Sequence, residues 1–323
     1  MKVSSSHRQP PLKAKPQSEG EAWLQKEEEK SQRLEEYVRR NGGEFSEDGS
    51  GEYLIGKQRY RTFPHREGYD ENFLGTEVKL PELDESIAPL AATRIDDPGN
   101  AELEYTHFSV VQNKQRRMPF FTAVNIDGSS SMVARGKVKW AGEGRILPQH
   151  QLGNIAYVKN DLDRGHMVHG QSPAWGALAE MARADSYVYS NAALQHKGLN
   201  QEEWVDLENQ LLDEARDQGR KVSVFAGPVF KDDDKYFDNK GRMPGAVQMP
   251  RSFWKVVVWQ DPQKGLQTES YLMSQEDDLA GKGGGEYRDG ADLRPFRVPL
   301  SEVEALTKLR FESLHESSNS SGK

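Results

Sequence analysis

The chain has 323 residues, a formal net charge of −8 and no cysteine. That length suits one large domain or two small ones, and the absence of thiols excludes disulfides and thiolate metal sites. Apolar runs such as Val256-Val257-Val258-Trp259 are far too short to span a bilayer, so no membrane anchor is expected.

No charged start followed by an apolar stretch stands at the N-terminus, so no secretory leader is expected; the compartment stays open, with the cytoplasm favoured. A simple nucleic-acid binder is usually basic. An acidic chain therefore argues against tight stoichiometric binding, while a catalyst needs only a local basic groove.

Residues 1–18 are rich in Ser, Pro, Gln and Lys without an apolar period and read as a disordered tail. Ser18 is placed to cap a helix over 19–40, whose apolar residues are sparse: Trp23, Leu24, Leu34, Tyr37 and Val38. A solvated helix is expected, with docking of a protein partner or a second copy as the alternative. Asn41-Gly42-Gly43 stops it, and a short hairpin is expected around 52–62. Residues 19–66 together read as an N-terminal helical extension and linker, and the chain up to about residue 60 as dispensable for catalysis.

Further along, residues 105–111 and 120–126 are β-rich and flank a charged turn at 113–117, so a hairpin is expected. Residues 155–160 read as another short strand. Residues 175–183 and 201–218 have helical spacing, and 222–225, 253–259 and 268–273 read as strands. A short helix at 301–308 carries Ser301 and Glu304 at capping-box spacing. After Phe311 the chain turns Ser-rich, and 313–323 read as a second disordered tail.

Four consecutive residues, Asp163-Arg164-Gly165-His166, hold the groups needed to bind a phosphodiester and deprotonate a water beside it. The His166 imidazole has the unperturbed pKa nearest neutrality and suits a general base. Gly165 allows a tight turn or a close approach to a ligand. Asp163 could orient the imidazole or the backbone, and Arg164 could pair locally or meet phosphate. His169 completes a His-x-x-His pair, but no Glu follows His166 as the zinc-protease pattern requires. A phosphate contact or a surface role is expected for His169.

Other motifs stand in order around this tetrapeptide. Upstream lie Thr106-His107-Phe108 and Asn125-Ile126-Asp127-Gly128; downstream lie Ser190-Asn191-Ala192-Ala193-Leu194-Gln195, then Asn200, then Trp204 and Glu208. The series resembles the DNA/RNA non-specific endonuclease family, the sugar-non-specific nucleases with a ββα-metal site. It runs from about Gly68 to Leu309, roughly three quarters of the chain. Leu194 stands where the family has proline.

The resemblance implies an α+β fold: a central antiparallel sheet with flanking helices and a ββα-metal module, here within residues 67–312. It implies His166 as base, Asn200 as metal ligand, and Glu208 as holder of a metal-bound water. By spacing alone Asn200 reads as a helix cap and Glu208 as an exposed helical carboxylate, with Trp204 in the core. Asn191 would stand beside the site, supporting either the loop or the substrate, with Asp163 and His169 near substrate. Arg164 is the signature's own arginine, placed to pair locally or meet phosphate; Arg135, between the Asn-Ile-Asp-Gly strand and the signature, is the one that would neutralise the transition state, and Arg145 and the Arg116-Arg117 pair are its rivals. The family's basic residue one turn after the helical Glu is Leu212 here, a departure for which Arg216, one turn further, is the candidate substitute. Mg²⁺ is the implied cofactor, with Mn²⁺ able to substitute, and DNA, RNA or both the implied partner. Two other functions fit the residues: a small-substrate phosphodiesterase with a closed pocket, and a non-catalytic nucleic-acid-binding or interaction protein that keeps the fold.

Overall fold

Helix α1 spans Gln17–Arg40, so Ser18 lies inside it instead of capping it. The computed structural model describes residues 17–48, 50–280 and 296–315; residues 1–16 and 316–323 of the expected tails lie outside the described residues. α1 stops as expected: Gly42 takes φ +66, and the Gly43 N–H donates to the Val38 carbonyl at 2.9 Å. Glycine adopts that left-handed conformation without a Cβ clash. Leu34 and Val38 are buried, whereas Trp23 and Leu24 remain exposed.

Val38 packs with Tyr53 and Tyr60, which belong to the hairpin β1 (Glu52–Ile55) and β2 (Gln58–Arg61). This stretch does more than link. β2 pairs in parallel with residues 142–143, and the Tyr53 hydroxyl donates to the Gly144 carbonyl at 2.8 Å. Arg59 and Arg61 donate to the carbonyls of Trp140 and Ala184 at 3.3 and 3.1 Å. The hairpin thus braces a segment of the main body, and the boundary expected near residue 66 does not coincide with a break in packing.

The body continues with strands β3 (Glu102–Tyr105), β4 (Phe108–Asn113) and β5 (Met118–Asp127). Next come β6 (Leu162–His166), helix α2 (Ala179–Asp185), β7 (Ala192–His196), α3 (Lys197–Gln201) and α4 (Glu203–Asp217). Strands β8 (Lys221–Val229), β9 (Ser252–Asp261), β10 (Gly265–Ser274) and β11 (Arg297–Val298) follow. Seven strands form the central sheet in the order β11-β10-β9-β8-β5-β4-β3, antiparallel throughout.

Two-residue alternation sorts the strand side chains to opposite faces. Val222, Val224, Phe253 and Val257 face the core that β6, β7 and α4 cover. Phe225, Trp254, Val256 and Val258 face a second core with Tyr69, Phe73 and Phe311. With both faces covered, the central strands read as continuous apolar runs.

Three local expectations change. The stretch 105–111 is two strands, because His107 takes φ +68. Its ring stacks on Trp175 at 3.5 Å between centroids, and Nδ1 lies 2.8 Å from the Pro173 carbonyl. Residues 155–160 form no strand; a 3₁₀ turn spans Asn154–Ala156, and Asn160 donates back to the Ala156 carbonyl at 2.9 Å, the local bonding that competes with a sheet ladder. The helix Leu300–Thr307 has Pro299 at its N-cap position and no side-chain cap. Glu304 instead accepts from the Phe311 N–H at 2.9 Å beyond the helix end, and Leu314 is buried, so the body extends to the inner edge of the expected tail. No helix among the described residues is long and apolar enough to cross a membrane.

Candidate active site

β6 carries the four-residue signature and pairs with β7, with His166 opposite Ala192 and Asp163 opposite Gln195. α3 and α4 follow at once, completing two strands and a helix. Gly165 is neither a tight turn nor an open ligand approach. It lies mid-strand, and a Cβ there would stand 1.9 Å from Gln195 Oε1. The glycine makes room for the neighbouring strand's amide.

The signature strand is tied down near both ends. Asp163 accepts from Asn200 Nδ2 at 3.0 Å and from Gln201 Nε2 at 2.8 Å. Near the other end, Trp204 Nε1 donates to the His166 carbonyl at 3.3 Å. Asp163 therefore orients the Asn200 amide, a different task from the substrate contact expected of it. Engaging the amide nitrogen leaves its oxygen for a hard cation.

The His166 ring packs 4.7 Å from Trp140 and 4.9 Å from Tyr187, centroid to centroid. Its Nε2 is buried with no protein partner. Burial, then the neighbouring His169 and Arg183, push its pKa down to about 3. The imidazole is thus neutral at pH 7, with a nitrogen available to accept a proton. Trp140 and Tyr187 form a wall that sequence reasoning missed; burial of a nearby aromatic leaves no periodic signal. Arg59 of the N-terminal hairpin holds the Trp140 carbonyl, as described above.

Asn191 is fully buried. Its Oδ1 accepts from the Val168 N–H at 2.9 Å, and Nδ2 donates to the carbonyls of Val168 and Ser186 at 3.0 and 2.9 Å. It fixes the loop that leaves His166, the first of the two roles expected of it. His169 is half-buried on that loop, and its Nδ1 is buried with no protein partner. Arg164 donates to Asn154 Oδ1 and lies 5.8 and 5.5 Å from the ring centroids of Trp140 and Tyr157, a local clamp at the edge of the aromatic wall.

Arg135 is exposed, and its N–H donates to Glu180 Oε1 at 3.3 Å. The preceding Ala134 is held by Gln171 through both N–H and carbonyl, which seats the Arg135 loop on the segment just beyond His169. Its rivals are occupied. Arg145 is buried against Glu143 and over the Phe63 and Tyr105 rings. Arg116 pairs with Asp234 at 3.2 Å, and Arg117 donates to the Gly245 and Ala246 carbonyls. Arg216 donates to Ser131 Oγ at 2.9 Å.

Glu208 is buried on α4 and pairs with Lys255 Nζ of β9 at 2.9 Å. Burial pushes the Lys255 pKa down, and the Glu208 charge acts against that shift. Lys255 was also missed, although its signal was visible: one charge inside the apolar strand Phe253-Trp254-Lys255-Val256-Val257-Val258.

A model of the DNA/RNA non-specific endonuclease family matches residues 88–317. An uncharacterized protein of Sinorhizobium fredii is 36% identical over 229 residues, covering 67% of this chain and 33% of that protein. The mitochondrial endonucleases G of Bos taurus and Homo sapiens are 26% and 25% identical over 167 residues, covering 50% of this chain and 52% of each of theirs. The chain therefore spans about a third to a half of the length of these curated relatives. A chain from the crystal structure of the EndoG/EndoGI complex superposes with a TM-score of 0.54 at 21% identity, covering 66% of this chain and 86% of that one. At that identity the likeness is one of fold.

Proposed function

The chain belongs to the DNA/RNA non-specific endonuclease family, and from that premise we propose that it hydrolyses internal phosphodiester bonds of DNA, RNA or both with the help of Mg²⁺, leaving 5′-phosphate ends. The observation that supports this best is His166. It offers a neutral imidazole with an unpartnered buried Nε2, on a strand held by Asn200 near one end and Trp204 near the other.

In this reading His166 takes a proton from a water in line with the P–O bond to be broken. Trp140 and Tyr187 pack against the ring and fix its plane. The oxygens of Asn200 and Glu208 make a hard donor set suited to Mg²⁺. Asn200 would hold the ion directly, and Glu208 would orient its bound water. When bound, the ion supplies Lewis-acid charge to the scissile phosphate, and Mn²⁺ can substitute. Arg135 neutralises charge developing on the phosphate, while Arg164 and His169 flank the base. Contacts to phosphate carry no base information, so weak sequence preference is expected. Any protein partner or self-association through the N-terminal segment would fall to Trp23 and Leu24, since Leu34 and Val38 are already buried within the chain.

Purified protein incubated with supercoiled plasmid, single-stranded DNA and RNA, in Mg²⁺, Mn²⁺ or chelator, tests the proposal. Cleavage with metal, abolished by chelator and by His166→Ala, is the expected result. Full cleavage in excess chelator would refute the metal-assisted reading. Cleavage of a small phosphodiester but of none of the polymers would transfer the function to a small-substrate phosphodiesterase.

A further inference from the structure

We propose that Lys255 is a positioning residue for the reaction: from the central sheet, its ammonium fixes the Glu208 carboxylate of α4 in the active site. The inference deepens the reading of Glu208 given above and rests on it.

Lys255 stands opposite Ala226 of β8 and Tyr271 of β10, well inside the sheet. Alternation sends Phe253, Lys255 and Val257 to one face. Phe253 and Val257 on that face pack in the same core as Trp204, Leu207, Leu211 and Leu212 of α4. The lysine is thus aimed from below at the helix that carries Glu208. Its Nζ lies 2.9 Å from Glu208 Oε1 and 3.9 Å from the Trp204 ring centroid. The two side chains are 3% and 5% exposed.

α4 itself offers this carboxylate no cation one turn away. Its neighbours at helical spacing are Trp204, Val205, Leu211 and Leu212. The positive charge comes from the sheet instead. Together Glu208 and Lys255 line a cavity of about 10 Å³ with Met167, His169 and Ser172, on the segment that leaves His166. Room of that size suits about one water. A buried ion pair adds little stability beyond apolar packing of similar volume. What this pair adds is direction: the carboxylate that would face the ion's hydration shell is anchored through one oxygen, at a set distance from the sheet.

The test compares Glu208→Gln, Lys255→Met and the two combined in the full chain. It measures Mn²⁺ affinity by calorimetry, and kcat and KM for plasmid cleavage. Each single variant should weaken Mn²⁺ binding by about 10- to 100-fold and lower kcat with KM nearly unchanged. The combination should be no worse than Glu208→Gln alone, because the lysine acts only through the carboxylate. Wild-type affinity and kcat in Lys255→Met would overturn the proposal, as would losses that multiply in the combined variant, or an effect confined to KM. If Lys255→Met fails to fold because Glu208 is left buried and unpaired, comparing the combined variant with Glu208→Gln decides: equal values support the role, a further loss overturns it. Wild-type behaviour of Glu208→Gln would instead remove the reading of Glu208 on which the proposal rests, and the lysine's role with it.

Discussion

Gly165→Ala is expected to damage the site without touching a catalytic group. The added methyl would lie 1.9 Å from Oε1, 2.4 Å from Cδ and 2.5 Å from Cγ of Gln195. Comfortable separations between such atoms are about 3.5–4.0 Å, so three atoms would overlap by about an ångström or more each. The Gln195 side chain is fully buried, and it sits on the strand paired with the signature. It has little room to swing aside, and a shift of either strand would carry His166 with it. Overpacking of this kind costs about 1–3 kcal/mol, and three simultaneous overlaps place the cost toward the upper end. A misplacement of about 1 Å at the base costs on the order of 10²-fold in rate. Urea unfolding with an unchanged slope would read the first effect, and plasmid cleavage the second. Adding Gln195→Ala should recover at least about 1 kcal/mol, since the methyl then occupies vacated space. An unfolding midpoint for Gly165→Ala equal to wild type, or a Gln195→Ala background that adds its own loss without relief, would refute this account of the glycine.

His166→Ala should keep the fold and lose about 10²–10⁴-fold in cleavage rate; turnover within a few-fold of wild type would remove it as base. Asn200→Ala should raise the Mg²⁺ concentration needed for half-maximal rate, and Asp163→Asn should do the same more weakly, because the amide loses its charged holder; metal titrations of both variants check the order. The folded state holds the His166 pKa below the unfolded value of about 6.5, so below pH 6.5 the unfolded chain binds a proton that the folded chain refuses. That group's contribution is flat above about pH 6.5 and falls by up to about 1.4 kcal/mol per pH unit below it, down to about pH 3. Chemical unfolding of His166→Gln between pH 7 and 5 should therefore show a shallower acid loss than wild type; identical slopes would contradict the buried, neutral ring. Removing residues 1–60 deletes the Tyr53 bond to Gly144 and the Arg59 bond to Trp140. It should lower Tm by about 5 °C or more and reduce cleavage, and a truncate as stable and active as the full chain would show the hairpin to be separable.

The parts of the site that could be read from sequence were those written as contiguous chemistry. Asp163-Arg164-Gly165-His166 declares itself by residue type, Asn200 and Glu208 only through the resemblance in motif order, and the long apolar strands β8 and β9 by composition. The strand character of the signature was not legible. Leu162-Asp163-Arg164-Gly165-His166 has neither alternation nor β-rich composition, and its conformation comes from pairing with residues 192–196. The N-terminal hairpin was legible around 52–62, but its docking on the body was hidden for a related reason. The partners that bury Tyr53 and Tyr60, residues 142–144, lie about eighty residues further on.

Lys255 shows where composition misleads in a more useful way. A single lysine within an apolar strand reads locally as an edge position or a break in the run. Neither holds, because β9 is flanked by strands on both sides. A charge in that place requires a counter-charge from whatever packs on the same face, and the face is fixed by alternation with Phe253 and Val257. The element covering that face is α4, and Glu208, paired with Lys255, is the one carboxylate among its buried residues. From the position of one misplaced charge, sheet order and side-chain parity thus lead to the carboxylate proposed for the site without reference to the signature at all. The two routes meet at Glu208 independently, which is why a substitution at Lys255, about ninety residues from His166 in sequence, is expected to read out in metal affinity and kcat.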